Sequence, residues 1–540
     1  MNLINYTDSS RFIRLIMLLI GSVSVWALPV LALDGQVRIH DPSTIMLCDG
    51  KYYTYGTGGT PLVSDDGWTW RTGTRATRSG AAPDVIHIGD KYFQYISHGT
   101  MIWTKSLDPN SPDYGWQDGG SDLFGYESED DFMNPIDPGV FLDPTTGKLW
   151  LTYGSYFGYT RVVELNPETG LRVDDKYYNV AINCEATTMI YHDGWYHLLA
   201  THGSCCRGAD SGYNIRVGRS KKPTGPFIDN MGIDMMQGGG KLVIGSGGRV
   251  IGPGHFGLMD LGDGVQKFSL HWEADLDRGG ASVLDIRPLL WKNGWPVGGE
   301  NFKEGTYQIE SARTGTVLEL AVEGVPVGGR RSRRGFGGTA PGGRGAAGSG
   351  ATRGGERGAT SAGRASGRRG GGDTGAAPGG RGGNVGQGRA FGGGGGMFGG
   401  TGGVIPPQDV NEVSVNWPAG NIDIRMANYM CQAQQKWTVT PVADAGGYPG
   451  SPYFKITIAG TDRTLAVGED GELVALPAFT GGHEQLWRLD QLTDGSWRIM
   501  PKFASTANES LVLSAVGSSF ATLAKFDPTS DKQRWFFKTP

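Results

Sequence analysis

The sequence predicts an all-β chain: a five-bladed β-propeller followed by a second β domain of three-fold repeat, the latter interrupted by a disordered Gly/Arg-rich insertion. Three observations predict this. A hairpin unit recurs five times between residues 41 and 273, and a Gln-x-Trp triplet recurs three times near the C-terminus. Long apolar helical stripes are hard to find in 540 residues of which 10% are aromatic and 19% charged. A chain of this length exceeds the usual size of one core, so two domains with appendages are expected.

The N-terminus comes first. Arg11 and Arg14 precede an apolar run beginning at Leu15, and Ala27-Leu-Pro-Val-Leu-Ala32 ends in small residues. Residues 1–32 therefore read as a signal peptide cleaved after Ala32. A membrane anchor is the competing reading, but the apolar core is short for a span of about 20 residues. The mature chain is expected to be secreted or periplasmic, soluble and monomeric, with no membrane partner. Five cysteines remain: Cys48, Cys184, Cys205, Cys206 and Cys431. They are too few for a disulfide framework and fit no zinc spacing. One stays unpaired within the chain; Cys205 and Cys206 are either a vicinal disulfide or two small loop residues.

The propeller repeat occupies residues 34–303. Its unit is a polar residue, a short apolar run, an Asp/Gly turn and an aromatic-rich strand, starting at Asp41, Asp84, Asp137, Glu185 and, more loosely, His255. Each copy is a hairpin with room for a second, and starts 43 to 70 residues apart have the period of propeller blades. The innermost strand of every blade lines the central channel, so the five starts converge on one mouth. Four acids and a histidine at one axis form the main chemical signal, because crowded like charges raise one another's pKa values. Taken singly, Asp before Pro is a common turn device. The joint occurrence on separate blades points to catalysis: a protonated carboxyl and a carboxylate across a sugar are what inverting hydrolysis of a glycosidic bond requires.

Further along, Gln435-Lys-Trp437, Gln485-Leu-Trp487 and Gln533-Arg-Trp535 are spaced by 50 and 48 residues. A three-fold β repeat of this length resembles the ricin-B-like β-trefoil, over residues 304–540. The resemblance implies that these triplets build a shared core rather than a sugar site. From Gly328 to Gly403, 34 of 76 residues are Gly, with twelve Arg against one Glu and one Asp. This insertion cannot form a core and reads as a disordered loop. Such segments suggest RNA inside cells, but the signal peptide argues against a nucleic-acid partner; an acidic pectic polymer is the alternative, beside a neutral expansion.

Within residues 34–300, Asp41-Pro-Ser, Ile136-Asp-Pro-Gly-Val, Glu185 ahead of a hairpin, Arg216-Val-Gly-Arg-Ser and Gly252-Pro-Gly-His255 resemble glycoside hydrolase family 43. Ser204-Cys-Cys-Arg-Gly followed by Tyr213-Asn-Ile-Arg-Val-Gly-Arg looks most like its endo-1,5-α-L-arabinanases, so plant cell-wall arabinan is the implied substrate. Exo-acting arabinofuranosidases or xylosidases of the family and a silent sugar-binding protein are the alternatives. The resemblance makes Asp41 the general base, Glu185 the general acid and Asp137 the group that tunes and orients the acid, and gives Asp84 no such role. It implies that His255 faces a calcium or similar ion held in the channel largely by water; alone, such a histidine is more often a satisfied polar residue. The arabinanases usually carry Trp where this chain has Ala81, so Tyr156 or Phe157, after Ser155, are expected to supply stacking. Arg219 is expected either to contact substrate or to pair with channel acids.

Overall fold

The computed structural model describes residues 33–121, 123–124, 134–322, 417–503 and 510–540. The expected signal peptide and the Gly/Arg-rich insertion lie outside the described residues.

The chain is all-β, with a five-bladed propeller and an additional C-terminal β domain. Each blade has four antiparallel strands, the first of them innermost, and the blade 1 sheet gains Asp34–Gly35 as a fifth, parallel strand on its outer edge. Those first strands are Met46–Cys48, Asp84–Ile88, Gly139–Leu142, Glu185–His192 and Val250–Asp260. The sequence explains the packing: Leu149–Tyr153 carries large, mostly apolar residues on both faces, and both are buried, as in a strand sandwiched between neighbouring blades. The inner strands are also tied directly to each other. The carboxylate of Asp84 accepts the backbone N–H of Thr44 at 2.9 Å and that of Val140 at 2.9 Å, joining blades 1, 2 and 3. Asp84 therefore works as a structural staple. At Gly139 the blades approach so closely that a Cβ would lie 1.9 Å from the Thr187 carbonyl oxygen.

Ring closure is made by the N-terminal segment. Asp34–Gly35 pairs in parallel with Thr69 and Trp70 on the outer edge of blade 1. A few residues later, Leu284 N–H donates to the Val37 carbonyl at 2.8 Å and Ile39 N–H to the Ser282 carbonyl at 3.3 Å, on blade 5. One segment thus stitches the last blade to the first.

In the C-terminal domain, strands Gly305–Ser311, Trp437–Pro441, Phe454–Ile458, Trp487–Gln491, Trp497–Pro501 and Trp535–Lys538 pair successively into a closed ring. Three hairpins accompany it: Val317–Leu320 with Ile422–Ala427, Thr464–Val467 with Leu473–Leu476, and Leu511–Val516 with Phe520–Lys525. The three tryptophans are equivalent. Their indole N–H groups donate to the carbonyls of Leu318, Leu465 and Leu513 at 2.9, 2.9 and 3.0 Å. All three are fully buried in one core. The glutamine of each triplet clamps its own loop, as when Gln485 accepts from Thr480 N–H at 2.7 Å and donates to the Ala478 carbonyl at 2.8 Å.

The C-terminal domain is hydrogen-bonded to the propeller. Gly450 N–H donates to the Gly67 carbonyl at 3.0 Å, and Trp291 N–H to the Thr493 carbonyl at 2.8 Å. Lys267 of blade 5 is buried and donates to the Pro449 carbonyl, with its ammonium over the Tyr448 ring.

Candidate active site

Three carboxyl groups and His255 meet at one end of the channel because each sits at the corresponding place on its blade. Asp41, Asp137 and His255 have φ values of 53°, 55° and 56°, and Ala186, which follows Glu185, has 48°. Left-handed backbone at non-glycine residues is costly, and here it recurs at the same turn into successive inner strands, aiming the side chains at the axis.

The protonation of these groups is opposed. Burial alone would raise Asp41, but His255, His40 and His271 beside it hold its carboxyl well below the usual range. His255 Nδ1 lies 3.1 Å and His40 Nδ1 2.7 Å from its oxygens, and Thr57 Oγ1 donates to it at 2.6 Å. Near neutral pH His40 is a cation and His255 is neutral. Burial pushes His40 down, but Asp41 and Glu273 outweigh that and raise it to about 10, whereas burial brings His255 down to about 4. Asp137 is pushed well above the ordinary carboxyl value by burial and then by the charges of Glu185 and Asp41. Glu185 is also raised, chiefly by burial, against hydrogen bonds from Ser155 and Tyr213 that favour its ionised form. Ser155 Oγ donates to Glu185 Oε2 at 2.6 Å and the Tyr213 hydroxyl donates to Oε1.

Of the residues singled out from sequence, the structure therefore gathers Asp41, Asp137, Glu185, His255 and Ser155. Tyr156, 40% exposed, donates its hydroxyl to the Thr201 carbonyl, the strand partner of Glu185, and Phe157 beside it is 59% exposed. Arg219 is not brought to the mouth. Glu185 faces Thr201, while Arg219 faces His197, four residues further along the strand. At about 3.3 Å per residue that is roughly 13 Å away. There its guanidinium lies between the rings of Trp195 and Trp295, 4.4 and 4.3 Å from their centroids. The expectation for Arg219 is corrected on this point: strand extension carries the end of an Arg-x-x-Arg run away from the channel mouth.

Sequence reading missed His40, His271, Glu273 and Tyr213. Glu273 Oε1 lies 3.0 Å from His40 Nε2, 3.6 Å from His271 Nε2, and accepts Cys206 N–H at 3.2 Å. Cys206 is joined to Cys205, while Cys48, Cys184 and Cys431 are free. His40 was marked only by adjacency to Asp41. Glu273 lies on a second strand, where no repeat position signals it.

A propeller whose channel mouth holds an ionised carboxylate beside raised carboxyls has the apparatus of a glycosidase. The profile of glycosyl hydrolases family 43 matches residues 36–296. An extracellular exo-α-(1→5)-L-arabinofuranosidase of Cellvibrio japonicus is 31% identical over 304 residues, covering 48% of this chain and 86% of that protein. An extracellular endo-α-(1→5)-L-arabinanase of Bacillus subtilis is 28% identical over 291 residues, covering 48% and 87%. A solved structure of α-L-arabinanase from Cellvibrio cellulosa aligns at 28% identity over 50% of this chain and all of that one, with a TM-score of 0.45. The chain belongs to glycosyl hydrolases family 43.

Proposed function

We propose that the propeller hydrolyses α-1,5-linked L-arabinan with inversion at the anomeric carbon, cutting within the chain. The observation that carries this reading is the opposed protonation at one channel mouth, Asp41 ionised and Glu185 raised toward its acid form. Asp41 takes a proton from the attacking water. Glu185 gives its proton to the leaving oxygen as the glycosidic C–O bond breaks. The charges of Asp41 and Glu273 help raise Glu185, and Asp137, itself raised toward its neutral form, tunes and orients the acid. Ser155 and Tyr213 fix the acid's carboxyl, and Tyr156 and Phe157 offer stacking faces for the sugar. The named activities of the relatives support arabinan as substrate. A second reading, release from a chain end, is favoured by the exo-acting Cellvibrio relative.

A calcium ion is proposed beside His255. Its Nε2 has no hydrogen-bond partner among the described residues. Because calcium prefers oxygen ligands, the fitting arrangement is an ion held chiefly by water with His255 as a protein ligand. Bound there, it would supply positive charge favouring the ionised carboxylate of Asp41. Activity that falls with a chelator and returns with calcium, but not in His255→Ala, is the expected result.

The C-terminal domain is proposed to be a ricin-B-like β-trefoil, supported by its closed ring of six strands and its three equivalent Gln-x-Trp sites. Its hydrogen bonds to the propeller support a fixed cap; loss of retention on insoluble arabinan after removal of residues 304–540 would add a sugar-binding role. Secretion as a monomer completes the reading, in line with the extracellular relatives.

The deciding experiment is product release from debranched linear arabinan. Wild type is expected to yield internal arabino-oligosaccharides and Glu185→Ala to lose on the order of 10²–10⁴ in rate. Monomer alone would select exo action. An enzyme inert on arabinan but active on aryl xylosides would overturn the substrate.

A further inference from the structure

A cavity of about 620 Å³ opens between blades 4 and 5, apart from the channel. Val243 and Ile244 from the outer strand of blade 4 and Val250, Trp272, Val283 and Leu284 from blade 5 give it apolar walls. Strand alternation separates it from the active site: His271 and Glu273 face the Asp41 network, so Trp272 between them faces the other way.

Two polar side chains in this cavity are incompletely paired. Arg287 is 7% exposed, and its Nε donates to Asp285 Oδ2 at 2.6 Å, the same oxygen that accepts Trp272 Nε1 at 2.9 Å. Its two Nη groups have no hydrogen-bond partner among the described residues. Asn301, also 7% exposed, has a buried Nδ2 without a hydrogen-bond partner among the described residues. The other cations are committed: Arg249 to Asp277, Arg278 to Asp275 and Lys303 to Glu300. A buried donor without an acceptor, as at Asn301 Nδ2, is costly, and the uncommitted Nη edge of Arg287 lines the same cavity, so the arrangement is matched to a bound acceptor. A carboxylate fits the planar edge of a guanidinium with two parallel hydrogen bonds. The volume is that of small-molecule sites, and the walls require an apolar body.

We propose that this cavity binds a small organic carboxylate with an apolar, ring-sized body, its carboxylate on the Nη edge of Arg287 and within reach of Asn301. The test is calorimetric titration of the full chain with 4-hydroxybenzoate and with its neutral amide. The carboxylate should bind at least about tenfold more tightly than the amide, and Arg287→Gln should remove that difference. Ile244→Trp, which fills the cavity while leaving Arg287 in place, should abolish binding and keeps the test decisive if Arg287→Gln does not fold. Binding should persist in the presence of arabinotriose. Absence of saturable binding, equal binding of the amide, or displacement by arabinotriose would overturn the proposal.

Discussion

Ser155 Oγ donates to Glu185 Oε2 at 2.6 Å, so one hydroxyl on the loop after the second strand of blade 3 helps set the protonation of an acid on the first strand of blade 4. The bond favours the ionised carboxylate, against the burial that raises it. In Ser155→Ala the carboxyl pKa should rise further. The proposed general acid works only while protonated, so the alkaline limb of kcat/KM against pH should move upward, by about one unit or less. A downward shift would contradict this placement of Ser155.

Glu273 acts on the same acid from blade 5. Its charge is one of those that raise Glu185, and with Asp41 it keeps His40 charged. In Glu273→Gln that repulsion is lost, so the Glu185 carboxyl pKa should fall and the alkaline limb of kcat/KM against pH should move down, by about one unit or less. An unchanged alkaline limb would leave Glu273 a purely structural residue.

The three buried tryptophans of the C-terminal domain should behave alike. Trp437→Phe, Trp487→Phe and Trp535→Phe each leave a buried leucine carbonyl without its indole donor. Each should cost about 1–3 kcal/mol, measured by chemical denaturation. One variant differing from the others by more than that range would break the three-fold equivalence.

Lys267 links the domain interface to pH. Burial brings its ammonium down to about 8 in the folded protein. In the unfolded chain an ordinary lysine titrates near 10.4, so between roughly pH 8 and 10 the unfolded state binds more protons and this group's contribution to stability rises with pH. Lys267→Met should flatten that rise in a Tm series. A slope identical to wild type would show that Lys267 stays charged at the interface.

How much of this was legible in the sequence follows from periodicity. Repeats must bring equivalent positions to one axis, so the starts at Asp41, Asp84, Asp137, Glu185 and His255 announced both the propeller and its mouth. The Gln-x-Trp spacing likewise announced a buried three-fold core, because a large indole recurring at one interval needs a shared interior. Tertiary structure alone decided the rest. Asp84 shares the repeat position but spends its carboxylate on two backbone N–H groups of neighbouring blades. Arg219 lies in a motif beside the site but is carried away by strand extension. Glu273 reaches His40, and His271 reaches Asp41, across more than 200 residues of chain. Their partners are fixed by blade packing, and the opposed protonation of Asp41 and Glu185 depends on burial and neighbouring charge, which arise only once the ring is closed.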